Sequence, residues 1–190
     1  MSDLFYTGVG SRDITDEEWD NIAAVAKWLA QWFKMRSGKA HGADSAFEYG
    51  VSLSEYPDNK EIYIPWPKFE GNEIEGEKIS LDRPDSVNFA LTLQYAREIH
   101  PAFDRLSQGA KKLHQRNIHQ VLGRDLEHPV PSLFLLACSD EDKNGDVKGG
   151  TRTAWMLAKK FGVPCFNVRG KTKREIFEFL KPIIEEITSA

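Results

Sequence analysis

Residues 4–15 read LFYTGVGSRDIT, and the fold turns on how they are parsed. "LFYTG" is a short apolar run ending in glycine, the pattern of a strand reaching a turn. Gly8, Gly10, Ser11 and Arg12 make a small-residue loop, and Thr15 and Glu18 then stand at capping-box spacing, which marks a helix start. Strand, glycine loop and helix in that order open a βαβ unit. The loop has a chemistry of its own. Glycine lets a backbone approach a ligand, and arginine grips phosphate or carboxylate. A phosphate-bearing small molecule is the expected occupant.

Working outward, the same rhythm continues. Trp19, Ile22, Ala23, Ala26, Leu29 and Phe33 recur at helical spacing, so the first helix has one apolar face and its tryptophans read as core. FKMRSG (33–38) reads as a second strand, GADSAFEYGVSLS (42–54) as a second helix, and KEIYIPW (60–66) as a third strand stopped by Pro65 and Pro67. From Lys68 to about Asp85 the chain is polar and charged, which predicts a long loop or lid. Two helices, 86–100 and 103–123, are split at Pro101. SLFLLACSD (132–140) is the most apolar strand, KGGTRTAWMLAKKFG (148–162) a glycine turn feeding a helix, and VPCFNV (163–168) a last strand. TKREIFEFLKPIIEEI (172–187) closes the chain as a helix, with Thr172 and Glu175 at capping-box spacing and Pro182 expected to kink or end it.

Strands alternating with helices imply an α/β fold, a doubly wound and mostly parallel sheet with helices on both faces. Right-handed crossovers place the five strands in the order 3-2-1-4-5. Winding then reverses between strands one and four, and a crevice opens there at the carboxyl ends of the strands, where ligands favour binding. Residues 1–190 read as one domain with a helical and loop insertion at about 68–105.

Composition narrows the classes. With 41% hydrophobic and 11% aromatic residues, the 190-residue chain can bury an ordinary core. A net charge of −4 and a pI near 5.8 argue against a dedicated duplex-DNA binder, though not against a local basic cleft. Cys138 and Cys165 sit in apolar runs and read as free thiols on strands; no CxxC or Cys/His spacing points to zinc, and neither metal nor cofactor is expected. No stretch approaches the ~20 apolar residues of a membrane span. The N-terminus lacks the basic and apolar blocks of a signal peptide. A soluble, cytoplasmic protein without a membrane partner is expected, and an exposed helical face would suit a homo-oligomer.

Three small-residue loops fall on the same edge of the predicted sheet. Gly8, Gly10, Ser11 and Arg12 follow the first strand; Ser37, Gly38, Gly42 and Asp44 follow the second; Gly149, Gly150 and Thr151 follow the fourth and open a helix. Backbone N–H groups and a helix start there suit an anion. Neither standard nucleotide fingerprint is present: GxGxxG fails at Asp13, and no GxxxxGK[ST] occurs. Arg116 and Asn117, in LHQRNIHQVLG (113–123), supply a phosphate clamp and a sugar or base contact; the plain alternative is a solvated helix face with His114 and His119 also exposed. Asp140, Asp142, Asp44 and Glu48 are the carboxylates available for catalysis, with surface solvation or capping as their plain roles. Tyr63, Trp66 and Trp155 would serve as base-stacking platforms or, equally well, as core.

Taken in order, TGVGSR, RSGKAHGADSAFEYG, EIYIPW, LHQRNIHQVLG and KGGTRTAWMLAKKFGVPCFNV resemble the Rossmann-like superfamily that joins the DNA-processing protein DprA (Smf) to the lysine-decarboxylase-like LOG enzymes, the SLOG superfamily. The likeness covers most of the chain outside about 68–105 and is closer to the DprA-like branch. It implies a ligand crevice lined by Gly10, Ser11, Arg12, Ser37, Gly38, Gly42, Asp44, Arg116, Asn117, Gly149, Gly150 and Thr151. LOG enzymes resemble one another in a PGGxGTxxE turn whose glutamate serves cleavage of a nucleotide's N-glycosidic bond; here that position falls on Met156, and Arg152 replaces the second-block glycine. DprA-like domains imply single-stranded DNA as ligand.

Three functions follow as alternatives. One is a sensor or sequestering module that binds a nucleotide or nucleotide-derived ligand. The second is a DprA-like single-stranded DNA binder engaged in DNA processing. The third is an N-glycosidic hydrolase or transferase acting on nucleotides, and whether any bond is cleaved stays open.

Overall fold

The computed structural model describes residues 4–71, 78–80 and 86–189. Six strands, β1 (Phe5–Gly10), β2 (Lys34–Ser37), β3 (Lys60–Ile64), β4 (Lys78–Ser80), β5 (Leu135–Cys138) and β6 (Cys165–Asn167), form one sheet in the order β4-β3-β2-β1-β5-β6. Every neighbouring pair is parallel. Without β4, this is the predicted order 3-2-1-4-5. The addition corrects the reading of 68–85 as loop throughout: backbone pairing of Ile62 with Lys78 and Ile64 with Ser80 extends the sheet at its edge. Residues 72–77 and 81–85 of the predicted lid lie outside the described residues.

Helices α1 (Asp16–Leu29), α2 (Ala43–Ser52) and α6 (Lys173–Thr188) cover one face; α3 (Val87–Ile99), α4 (Gln108–Leu122) and α5 (Arg152–Lys160) cover the other. Sheet periodicity sorts the side chains. In β5, Leu136 and Cys138 join the core under α1, α2 and α6, whereas Leu135 and Ala137 join the core under α4 and α5. All four are fully buried, as a strand covered on both faces requires. In the first core Tyr6 stacks on Phe134 at 5.3 Å, with Phe33 edge-on to Phe134.

Both predicted capping boxes form: Thr15 with Glu18 at the start of α1, and Thr172 with Glu175 at the start of α6. Pro182 does not end the helix, a correction to half of the expectation: α6 runs through it to Thr188. Ile176 and Leu180 are buried in the core and Phe177, Phe179, Ile183, Ile184 and Ile187 pack against it, so tertiary burial outweighs one lost backbone bond. Cys138 is buried, Cys165 half-buried, and both are free; burial pushes their thiols up to about 11 and about 12. No helix among the described residues is long and apolar enough to cross a membrane.

Candidate functional site

A cavity of about 390 Å3 opens at the carboxyl ends of β1 and β5, where the winding reverses. It lies at the small end of ligand pockets, which span about 300–1000 Å3. Gly10, Ser11, Arg12, Asp44, Arg116, Asn117, Gly149, Gly150 and Thr151 all line it, so four separate stretches of sequence meet in one place.

Its polar floor is built by α2 and α4. Asp44, 4% exposed, sits in the first turn of α2 and accepts the Ala40 backbone N–H at 3.3 Å. Burial raises its carboxyl to about 6, against the downward pull of Arg116 and backbone N–H groups. Arg116, 6% exposed, donates through Nη1 to the carbonyls of Gly38 and Tyr63 (3.3 Å to the latter) and through Nε to Asn117 Oδ1 at 3.0 Å. Burial lowers its pKa, and the nearby Asp44 carboxylate opposes that. Asn117 Nδ2 in turn donates to the Gly150 carbonyl at 2.7 Å, tying α4 to the turn before α5.

The loop after β1 is closely bonded within the protein. The Ser11 N–H donates to the Cys138 carbonyl at 2.7 Å and the Asp13 N–H to Ser11 Oγ at 3.0 Å. Arg12 is the outward part: its side chain is 57% exposed and pairs with Glu70 at 3.0 Å, and Glu70 also meets His41 Nε2 at 2.9 Å.

The turn after β5 is different. Gly149–Thr151 form a single 3-10 turn that leads directly into α5, and the first N–H groups of such a start have no acceptor within the helix. Lys148 stands beside it in the cavity wall. The preceding excursion is held by Asp142, whose Oδ1 accepts from the Asn144 and Asp146 N–H groups and whose Oδ2 takes Arg152 at 3.0 Å.

Four predicted contacts lie outside the cavity lining. Gly8 backs onto the Phe47 ring, where a Cβ would come within 2.7 Å. Ser37 is fully buried and its Oγ donates to the Gly8 carbonyl at 2.7 Å. Gly38 gives the Arg116 guanidinium room to reach its carbonyl. Gly42, at φ +82°, caps α2 beneath the Ser11 and Arg12 backbone, a position that a side chain would obstruct. These residues shape the cavity by packing.

The carboxylates separate as clearly. Of the four, Asp44 alone lines the cavity. The Asp140 side chain is 73% exposed and pairs with Arg169 at 2.7 Å. Glu48 is held by Lys39 at 2.7 Å, with Lys60 at 3.9 Å. Asp142 organises its own loop. The aromatic platforms are also accounted for by the core. Tyr63 is buried and stacked on His119, Trp155 donates to Asp146 at 2.9 Å, and half-buried Trp66 meets Phe69 edge-on. The picture of His114 and His119 on a solvated face is corrected: His119 is buried, half-buried His114 lines the cavity and bonds Thr153 Oγ1 at 2.7 Å, and burial pushes both imidazoles down to about 4.

Lys148, Ser139 and Gln120 line the cavity without having been singled out from the sequence. Gln120 is a polar residue of α4, yet it is 1% exposed and lies one helical turn beyond Arg116. That i, i+4 spacing from the arginine was the available signal.

Sheet order and helix placement define a Rossmann-like fold, with the cavity at its topological switch point. Among solved structures, DNA processing protein A from Helicobacter pylori, described for its single-stranded DNA binding mode, is similar at a TM-score of 0.52 and 16% identity, over 86% of this chain and 64% of that one. DNA processing protein A (DprA) from Streptococcus pneumoniae is similar at a TM-score of 0.48 and 12% identity, over 97% and 56%. The chain thus spans less than two thirds of the length of either. No family model matches the chain, and no curated protein sequence matches it.

Proposed function

We propose that the protein binds a nucleotide in this cavity and holds it without cleavage, as a sensor or sequestering module. The observation that carries the reading is the convergence of a helix start with free N–H groups and three cationic side chains, Arg12, Arg116 and Lys148, on one small cavity. A phosphate suits the Lys148–Gly150 side, with Arg12 facing it. Cleavage of a glycosidic bond calls for an acid or nucleophile beside the sugar. Asp44, the carboxylate in the lining, is buried, bonded by the Ala40 N–H and beside Arg116, and Met156 stands where LOG enzymes have their glutamate.

A second reading, single-stranded DNA binding within DNA processing, is favoured by the fold likeness to the Helicobacter pylori protein. The two share phosphate chemistry and differ in ligand length. Native mass spectrometry of the purified protein, with the four nucleoside monophosphates and a short oligodeoxynucleotide, tests both. Capture of an intact mononucleotide, weakened at least tenfold in an Arg12→Ala, Lys148→Ala double variant, is the expected result, since charge-assisted contacts contribute about 1.5–3 kcal/mol each. Capture of the oligonucleotide alone would establish the second reading. Release of free base would establish an enzyme.

A further inference from the structure

We infer that Gln120 is the base-reading residue of the cavity, and that the ligand presents to it a nucleobase edge carrying a hydrogen-bond donor beside an acceptor. The inference rests on the nucleotide reading and names the part of the ligand that lies deepest.

The argument starts from bonding left unmade. Gln120 is 1% exposed, and neither its amide nitrogen nor its amide oxygen has a partner. An amide offers two donors and an acceptor with two lone pairs, and buried polar atoms in proteins are nearly always bonded. The backbone of the same residue is satisfied: its carbonyl accepts from Thr7 Oγ1 at 2.6 Å. The side chain alone waits.

Its position explains why. On α4, Arg116, Asn117 and Gln120 share the face turned to the cavity. Arg116 and Asn117 are anchored to carbonyls and to each other. Gln120 lies beside the Arg116 guanidinium over Gly38, where a Cβ would strike both side chains. A glycine there is what admits the amide to the floor. The phosphate-friendly groups, Lys148 and the Gly149–Gly150 N–H groups, belong to a different loop, the one before α5. A ligand that satisfies both must carry an anion at one end and a flat donor–acceptor edge at the other. Glutamine pairs with such an edge in two parallel bonds, as it does with the N6/N7 edge of adenine in nucleic-acid recognition. A sugar phosphate without a base leaves the amide unsatisfied.

Gln120→Met keeps the length of the side chain and removes both polar atoms. The expected result has two opposite signs. In ligand-free protein the variant melts at least about 2 °C higher, because an unsatisfied buried amide is gone. Its affinity for the preferred nucleoside monophosphate falls about tenfold or more, its discrimination among AMP, GMP, CMP and UMP collapses, and its affinity for ribose 5-phosphate stays within about twofold of wild type. Isothermal titration calorimetry and thermal melting read both. A fall in melting temperature together with affinity would show a structural role and overturn the inference. So would wild-type affinity and base preference in a folded variant. Gln120→Leu gives the same comparison if the methionine variant is insoluble. Failure of wild-type protein to bind any of the four nucleotides would instead overturn the nucleotide reading itself, and the inference with it.

Discussion

The two glycine pairs that flank the cavity, one at the end of β1 and one just before α5, carry the same sequence signal for different physical reasons. On the β1 side, a Cβ at Gly10 would collide with the Cys138 carbonyl and the Ala43 side chain, and the loop's N–H groups bond within the protein. On the α5 side, a Cβ at Gly149 or Gly150 would meet nothing within 4 Å, and the turn starts a helix with N–H groups to spare. At Gly10 the sheet and α2 close on the backbone. At Gly149 nothing crowds it, and φ +70° is the left-handed conformation that glycine adopts freely. A glycine in sequence therefore does not say whether close approach or backbone conformation required it.

The contrast breaks most visibly by substitution at its two ends. Gly10→Ala is expected to destabilise the protein by about 3 kcal/mol or more, since backbone cannot yield as a side chain does. Gly150→Ala is expected to be neutral or stabilising by up to about 1 kcal/mol. Urea denaturation of both variants measures the difference, and equal midpoints would remove the distinction drawn here.

A second test concerns the buried carboxyl of Asp44, at the start of α2. Asp44 titrates at about 6 in the folded protein and near 3.8 as a free side chain. Between those values the folded state holds a proton that the unfolded state has lost, so this group's contribution to stability falls as pH rises from about 4 to about 6. His114 and His119, pushed down to about 4, act in the opposite sense over pH 4–6.5 and mask it in the wild type alone. The difference between wild type and Asp44→Asn isolates it. Wild type is expected to gain on the variant by on the order of 2–3 kcal/mol as pH is lowered from 7 to 4. A pH-independent difference in denaturation free energy would mean that Asp44 titrates normally.

Arg116→Met sharpens the comparison at the floor both loops share. It leaves the Gly38 and Tyr63 carbonyls without their donor and is expected to cost about 1–3 kcal/mol. A thermal melt indistinguishable from wild type would show those bonds to be replaced by water. The smallest effect belongs to the mouth. Glu70→Gln releases Arg12 from an exposed ion pair contributing about 0.2–1 kcal/mol, so nucleotide affinity should rise by up to about fivefold. Weaker binding in that titration would place Glu70 among the ligand contacts.

The strand order was legible because each strand is a compact apolar run between turn signals, and the helix starts because Thr15–Glu18 and Thr172–Glu175 are local devices. The strand at Lys78–Ser80 was not, since three residues in a charged stretch pair only because β3 offers them an edge. The site was legible in part for the same reason. Loop glycines announce themselves. The engagement of the Ser11 N–H by Cys138, the room Gly38 gives Arg116 and the isolation of Gln120 all depend on partners far away in sequence.

The central place of β1 has a consequence in time. Thr7 pairs with Arg36 on one side and with Leu135 on the other. The first partner emerges from the ribosome almost at once. The second is made on the order of 10 s later, at 5–20 residues per second. Through that interval one edge of β1 has no neighbour, and loop closure over so long a span is slow. The cavity, framed by β1 and β5, cannot form until more than two thirds of the chain has been made.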